Sequence, residues 1–293
     1  RVDAPRRLAK RVEVDIVLHA ERGDGRSNFP RIVEDRGGDR REAGVELAVG
    51  ECQLALADQG QALLGALLDN RLHRTVGHMS AASSATLAPT RPLGRGVPAV
   101  VIAGPGTNRD GDVKEALERA GAAVSVVLAS ELIERPQLLG DARLAVVAGG
   151  FSHADALGAG RMLALDLTVG LADELRSFVD AGHPMLGICN GFQVLTRAGL
   201  LPGALGHNSG GAFDCRWVEL QPVAVSVSVW TAGLTDTIHC PIAHGEGRYV
   251  HPDPGSLAAT GQIALRYTRN PNGSVDYIAG VCDRTGAVMG LMP

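Results

Sequence analysis

The pentapeptide Gly187-Ile188-Cys189-Asn190-Gly191 constrains the fold of this chain more than any other feature. It follows a short apolar run at 184–188 and precedes a helical pattern at 190–198 that stops before Gly199. A strand that turns into a helix around a single residue brings backbone close on both sides of it, and glycines two positions before and after tolerate that approach. A Cys at such a turn stands at a helix N-terminus, where the dipole and free N–H groups favour the thiolate. The N–H of Asn190 is then a candidate oxyanion donor. The alternative reading of a single Cys is a buried, inert thiol. Glycine on both sides of a strand-to-helix turn favours the nucleophile.

The surrounding pattern fits a sheet that supports such a turn. Apolar runs at 98–103, 122–128 and 144–148 precede the one at 184–188. Helical spacing separates them at 112–120, with Val113, Ala116, Leu117 and Ala120 on one face before Gly121, and at 171–180. Strands alternating with helices imply a mostly parallel sheet covered on both faces, a flavodoxin-like three-layer α/β arrangement. Ligands bind such sheets beyond the C-terminal strand ends. The Gly-rich segments at 104–106, 149–150 and 187–191 all fall there. From 216 to 291 the chain reads as mostly strands, at 218–229, 263–267, 277–281 and 287–291, with a Pro-Asn-Gly turn at 270–273. Residues 97–293 therefore make one domain. Residues 1–96 carry only a weak strand pattern at 12–18 and a weak helical one at 53–68. A charged, Gly-rich stretch at 23–41 and a linker-like stretch at 80–96 complete this part, which reads as an extension and linker, disordered in part, with Met79 as a candidate start.

Composition excludes several function classes. The net charge of −4 offers no basic footprint for nucleic acid. No apolar stretch reaches the roughly 18 residues of a membrane span. The five Cys form no CxxC pair and no metal-ligand spacing, which argues for a reducing, cytoplasmic setting without structural disulfides or zinc. His183, His207, His239 and His251 have no metal spacing either, and Gly104-Pro105-Gly106 alone is a weak phosphate signal. Asp110, Asp112 and Glu115 read as a solvated helix start, and Cys215, Cys240 and Cys282 as core.

The elbow with its following Phe192 and Gln193 resembles the G-x-C-x-G-x-Q motif of class I glutamine amidotransferases, and its Asn-Gly resembles their purine-biosynthetic branch. Further similar segments lie at 104–108, 149–155 with 158–160, Asn208-Ser209 with Phe213 and Arg216, 241–248 and 270–274, so the resemblance spans 97–293. It implies that Cys189 attacks the carboxamide of L-glutamine and forms a glutamyl thioester. The N–H groups of Gly150 and Asn190 would hold the oxyanion, Gln193 would contact substrate, and Gly245 and Glu246 would hold its amino acid end. His244 lies on the substrate side rather than acting as the base.

In that family the final strand runs on into His-Pro-Glu, which supplies the base and its orienter. The present sequence reaches Pro293, so the chain as given is expected to be inactive. The resemblance also implies a large synthase subunit that uses ATP and Mg to make phosphoribosylformylglycinamidine, and a small bridging subunit. No metal or organic cofactor is implied for the glutaminase itself. The competing readings are an amidotransferase for another acceptor, a relative of the intracellular proteases and chaperones that use an elbow Cys, and a non-catalytic interaction module on the same fold. Gln193 and the segment 241–248 speak against the protease group.

Overall fold

The computed structural model describes residues 96–293; the expectations for 1–96, including the strand at 12–18 and the helix at 53–68, lie outside the described residues, except that the linker's last residue, Gly96, lies inside them. Nine strands form one sheet in the order β2-β1-β3-β4-β11-β10-β9-β6-β7. Strands β1 (Val97–Ala103), β2 (Ala122–Leu128), β3 (Leu144–Val147), β4 (Met185–Ile188) and β11 (Val288–Leu291) are mutually parallel. Strands β10 (Ile278–Cys282), β9 (Ile263–Tyr267), β6 (Asp214–Pro222) and β7 (Ile238–His244) extend the sheet antiparallel. A separate ribbon pairs β5 (Ala204–Gly206) with β8 (Arg248–Val250).

The central strands are apolar on both faces because both are covered. On one side Val100, Ile102, Ala145, Val147 and Met185 pack under Leu132, Leu163, Leu167, Leu175, Phe178 and Leu195. These come from the helices α2 (Ala129–Glu134), α4 (Arg161–Gly170), α5 (Ala172–Asp180) and α6 (Asn190–Arg197). The short α3 (Gln137–Gly140) adds Leu139 to that layer. On the other side Ala99, Val101, Val146 and Leu186 pack against Val113, Ala116 and Leu117 of α1 (Asp110–Arg119) and against Trp230. Trp230 satisfies its indole N–H on the Ala287 carbonyl at 2.9 Å. A last short helix, α7 (Pro254–Ala259), starts at Asp253, whose carboxylate accepts from the Ser256 N–H.

The expected strand at 218–229 is overturned in its second half. β6 ends at Pro222, and 223–229 runs as turns with Val225 largely exposed. One further backbone bond, from the Val223 N–H to the Ala264 carbonyl at 3.0 Å, follows β6 before the chain turns away. Cys215 is half-buried on β6 rather than core, whereas Cys240 and Cys282 are buried as expected. Among the described residues no helix is long and apolar enough to cross a membrane.

Candidate active site

Strand β4 delivers Cys189 to the C-terminal edge of the parallel sheet, between β3 and β11. Cys189 itself has φ 50° and ψ −107°, a left-handed conformation that a non-glycine residue adopts only at a cost of about 1–3 kcal/mol. The neighbours fix it there. Its N–H donates to the Leu291 carbonyl at 2.8 Å, and its carbonyl accepts from Phe192 and Gln193 at 3.0 and 3.2 Å, starting α6. A Cβ on Gly187 would approach the Gly191 carbonyl oxygen and Leu195 within 2.6 Å, and one on Gly191 would overlap the Val147 carbonyl. Both glycines are thus required by close approach, as the spacing implies.

Two further glycine loops surround the thiol. Gly149 lies against it: a Cβ there would be 3.5 Å from the Cys189 Cβ. Gly150 has φ 121° and bridges to Thr107, which ties the 149–155 loop to the 104–108 loop. In the first loop the Thr107 hydroxyl accepts from the Gly104 N–H at 3.0 Å. The expected oxyanion donors Gly150 and Asn190 are therefore carried on segments that flank the nucleophile.

The thiol differs from expectation. The Asn190 N–H and the Arg109 guanidinium do favour the thiolate, but burial outweighs them and, with help from the Asp155 carboxylate, pushes the thiol up to about 12. The helix start alone does not ionise Cys189. Arg109, held to Asp112 at 2.8 Å, acts on the site without a sequence signal of doing so, and Asp155 is marked in the sequence only as the end of the 149–155 segment. With the thiol this high, alkylation of the isolated polypeptide at Cys189 should rise about tenfold per pH unit from pH 7 to 10 without a plateau. Rapid labelling at neutral pH is not expected. Peptide mapping after iodoacetamide pulses checks this, and a plateau near pH 8 would mean that the N–H and Arg109 outweigh burial. Cys189 should still label ahead of the buried Cys240 and Cys282.

The three remaining expected segments converge beside this elbow. Asn208 is their centre. Its Nδ2 donates to the His244 carbonyl at 2.8 Å, and its Oδ1 accepts from the Gly247 N–H at 3.1 Å and lies 3.1 Å from His244 Nδ1. The Asn208 N–H donates to the Gly245 carbonyl, and the Asn272 side chain donates to the Gly247 carbonyl, each at 2.8 Å. Glu246 pairs with Arg197 at 3.4 Å. His244 and Glu246 are thus held by different partners and do not form a base and its orienter. Gln193 is 4% exposed and donates to the Glu246 carbonyl at 2.7 Å, so it bridges α6 to the 245–247 loop.

Burial lowers His244 to about 4, against a smaller upward pull from Asp214. The sign of the resulting pH effect is fixed. As pH falls through 6.5 the unfolded chain takes up a proton that the folded His244 refuses until about pH 4, so stability is lost across that window. Unfolding at pH 4.5 and 7.5 should show a loss about 2–3 kcal/mol larger in the wild type than in His244→Gln. Equal losses would mean that His244 is solvated. Among the described residues no group of three or more His, Cys, Asp or Glu is arranged to hold a metal ion.

The nucleophile elbow, the flanking glycine loops and the sheet that carries them have the organisation of a glutaminase. The family described as CobB/CobQ-like glutamine amidotransferase domain matches residues 97–293. A phosphoribosylformylglycinamidine synthase subunit PurQ from Treponema denticola is 42% identical over 67% of this chain and 86% of its own length. The subunit of that name from Pyrococcus furiosus is 40% identical over 66% of this chain and 85% of its own. A solved structure of PurLQS from Thermotoga maritima matches with 38% identity and a TM-score of 0.58, covering 67% of this chain and 86% of that one. The chain belongs to the class I glutamine amidotransferases, and within them to the PurQ family.

Proposed function

We propose that this chain hydrolyses L-glutamine to L-glutamate and ammonia and delivers the ammonia to a synthase that makes phosphoribosylformylglycinamidine in purine biosynthesis. The observation that carries this reading is the strained Cys189, set between the Gly149-Gly150 loop and the Asn190 N–H. Sγ attacks the carboxamide carbon, and its proton leaves with the amine. The developing oxyanion takes hydrogen bonds from the Gly150 and Asn190 N–H groups, which cost no reorganisation because the loops are already fixed. Ammonia departs, water cleaves the thioester, and the thiol is restored with glutamate released. Gly245 and Glu246 face the amino acid end of the substrate, and Gln193 sets their loop. Because burial keeps the thiol protonated, a base must take its proton as the bond forms.

The assignment to this acceptor rests on the PurQ relatives. The partners are a large synthase subunit that consumes ATP with Mg and a small bridging subunit, all in the cytoplasm. Neither nucleic acid nor membrane takes part, and the glutaminase needs no metal or organic cofactor of its own. The test mixes the chain with the large and bridging subunits and follows glutamate, ammonia and the amidine product. Glutamate formation without any amidine would point to a different acceptor. No glutamate under any condition, with the chain folded and His-Pro-Glu supplied after Pro293, would favour a non-catalytic module.

A further inference from the structure

We propose that the Asn190 side chain, and not only its N–H, is a positioning residue for the glutaminase reaction, tethering the oxyanion loop and the substrate loop to the nucleophile helix. This rests on the functional reading above. Asn190 is 2% exposed and both polar atoms of its side chain are fully used. Its Oδ1 accepts from the Ser152 hydroxyl at 2.6 Å and the Ser152 N–H at 3.3 Å. Its Nδ2 donates to Asp155 Oδ1 at 3.1 Å and to Gln193 Oε1 at 3.0 Å. Gln193 passes the connection on through its own amide to the Glu246 carbonyl. One carboxamide therefore connects the loop that carries Gly150, the helix that starts at the nucleophile and the loop that carries Gly245 and Glu246.

The loop held in this way does not rest in an easy conformation. His153, Ala154 and Asp155 have φ of 53°, 51° and 52°, and Leu157 has 63°. Non-glycine residues take such angles only when their surroundings impose them. Two of the four restraining bonds come from Ser152 and one from Asp155, at the start and within the left-handed run. Leu157, at its end, is 74% exposed and offers no packing to hold it. Burial and the nearby Glu246 raise the pKa of Asp155, while the Asn190 amide opposes them and favours the carboxylate it binds. A carboxylate at 190 would reverse that contact, setting two acidic groups against each other and leaving Gln193 Oε1 without its donor.

The experiment uses the full gene product assembled with its synthase subunits. Asn190→Ala keeps the backbone N–H and removes the tether. It should lower kcat for glutamine hydrolysis at least 30-fold with KM within threefold, because the oxyanion forms only in the transition state. Alkylation of Cys189 at pH 9.5, which needs no oxyanion hole, should stay within twofold. Asn190→Asp should be worse than Ala, and adding Asp155→Asn should recover at least tenfold by restoring a donor to the new carboxylate. Amide exchange in 150–157 should be at least tenfold faster in Asn190→Ala, a reading that needs no turnover and so stands even if the wild type released no ammonia, which would sink the functional reading alone. A kcat within threefold of wild type, alkylation falling in parallel with kcat, or unchanged exchange would each overturn the proposal. Should Asn190→Ala fail to fold, Ser152→Ala, which removes the 2.6 Å bond, is judged by the same measurements with an expected three- to tenfold loss of kcat.

Discussion

Replacing Cys189 by Ser should abolish glutamine hydrolysis, lowering kcat by at least about 10⁴-fold, roughly 5 kcal/mol of transition-state stabilisation. Ser has nearly the same shape, so the Leu291 and Phe192 backbone contacts that set the elbow survive, and the melt should stay within a degree or two of wild type. The hydroxyl cannot replace the thiol because it is a weak nucleophile that needs a stronger base. The same variant, assembled with the synthase and given ammonium salt in place of glutamine, should still yield amidine. If Cys189→Ser retained a hundredth of the activity, the elbow would not carry the nucleophile. If it failed with ammonium as well, the lesion would lie in assembly rather than chemistry.

The second large effect concerns the base. Among the described residues no side-chain base is hydrogen-bonded to the Cys189 thiol, and burial holds that thiol near 12. His244 is ill suited to help, since it is already lowered to about 4 and its ring is held by Asn208. A polypeptide ending at Pro293 is therefore expected to release ammonia about 10²–10⁴-fold more slowly than one that carries His-Pro-Glu after Pro293. The position is apt: the Leu291 carbonyl already accepts from the Cys189 N–H, so residues following β11 emerge beside the nucleophile. Ammonia release by the two forms, each with and without synthase subunits, decides it. Equal rates would make a residue already within 1–293 the base, with His244 examined first.

What was legible in the sequence was what backbone geometry forces into it. The elbow needs glycine at 187 and 191 because Cβ atoms there would strike the Gly191 carbonyl oxygen, Leu195 and the Val147 carbonyl, so the spacing announces the turn. The buried parallel strands β1, β3 and β4 show as short apolar runs for a similar reason. Elements whose pattern is diluted were harder to read. α4 leaves Leu165 and Val169 exposed, which blurs its apolar stripe. β7 contains Pro241, tolerated because β7 is the sheet edge. The Val-rich stretch after Pro222 has the composition of a strand but no ladder to join. At the site, residue types gave Cys189 its place. The thiol's protonation was not legible, because it depends on how burial compares with the Asn190 N–H and Arg109, a balance that appears only when 109, 155 and 189 meet in space. Asn190 was readable through its backbone alone, since its side-chain partners Asp155 and Ser152, which tie it to the oxyanion loop, lie 35 and 38 residues away.

Strand β11 comes last among the eleven described, yet it sits in the middle of the sheet, between β4 and β10. Before it arrives, the parallel half from β1 to β4 and the antiparallel half from β10 to β7 share no backbone ladder, and the Cys189 N–H lacks its acceptor. On a ribosome, where residues emerge from the N-terminal side, the two halves can be joined by backbone pairing only after β11 has been made. An unfinished chain therefore carries a reactive-residue motif without the strand that shapes it.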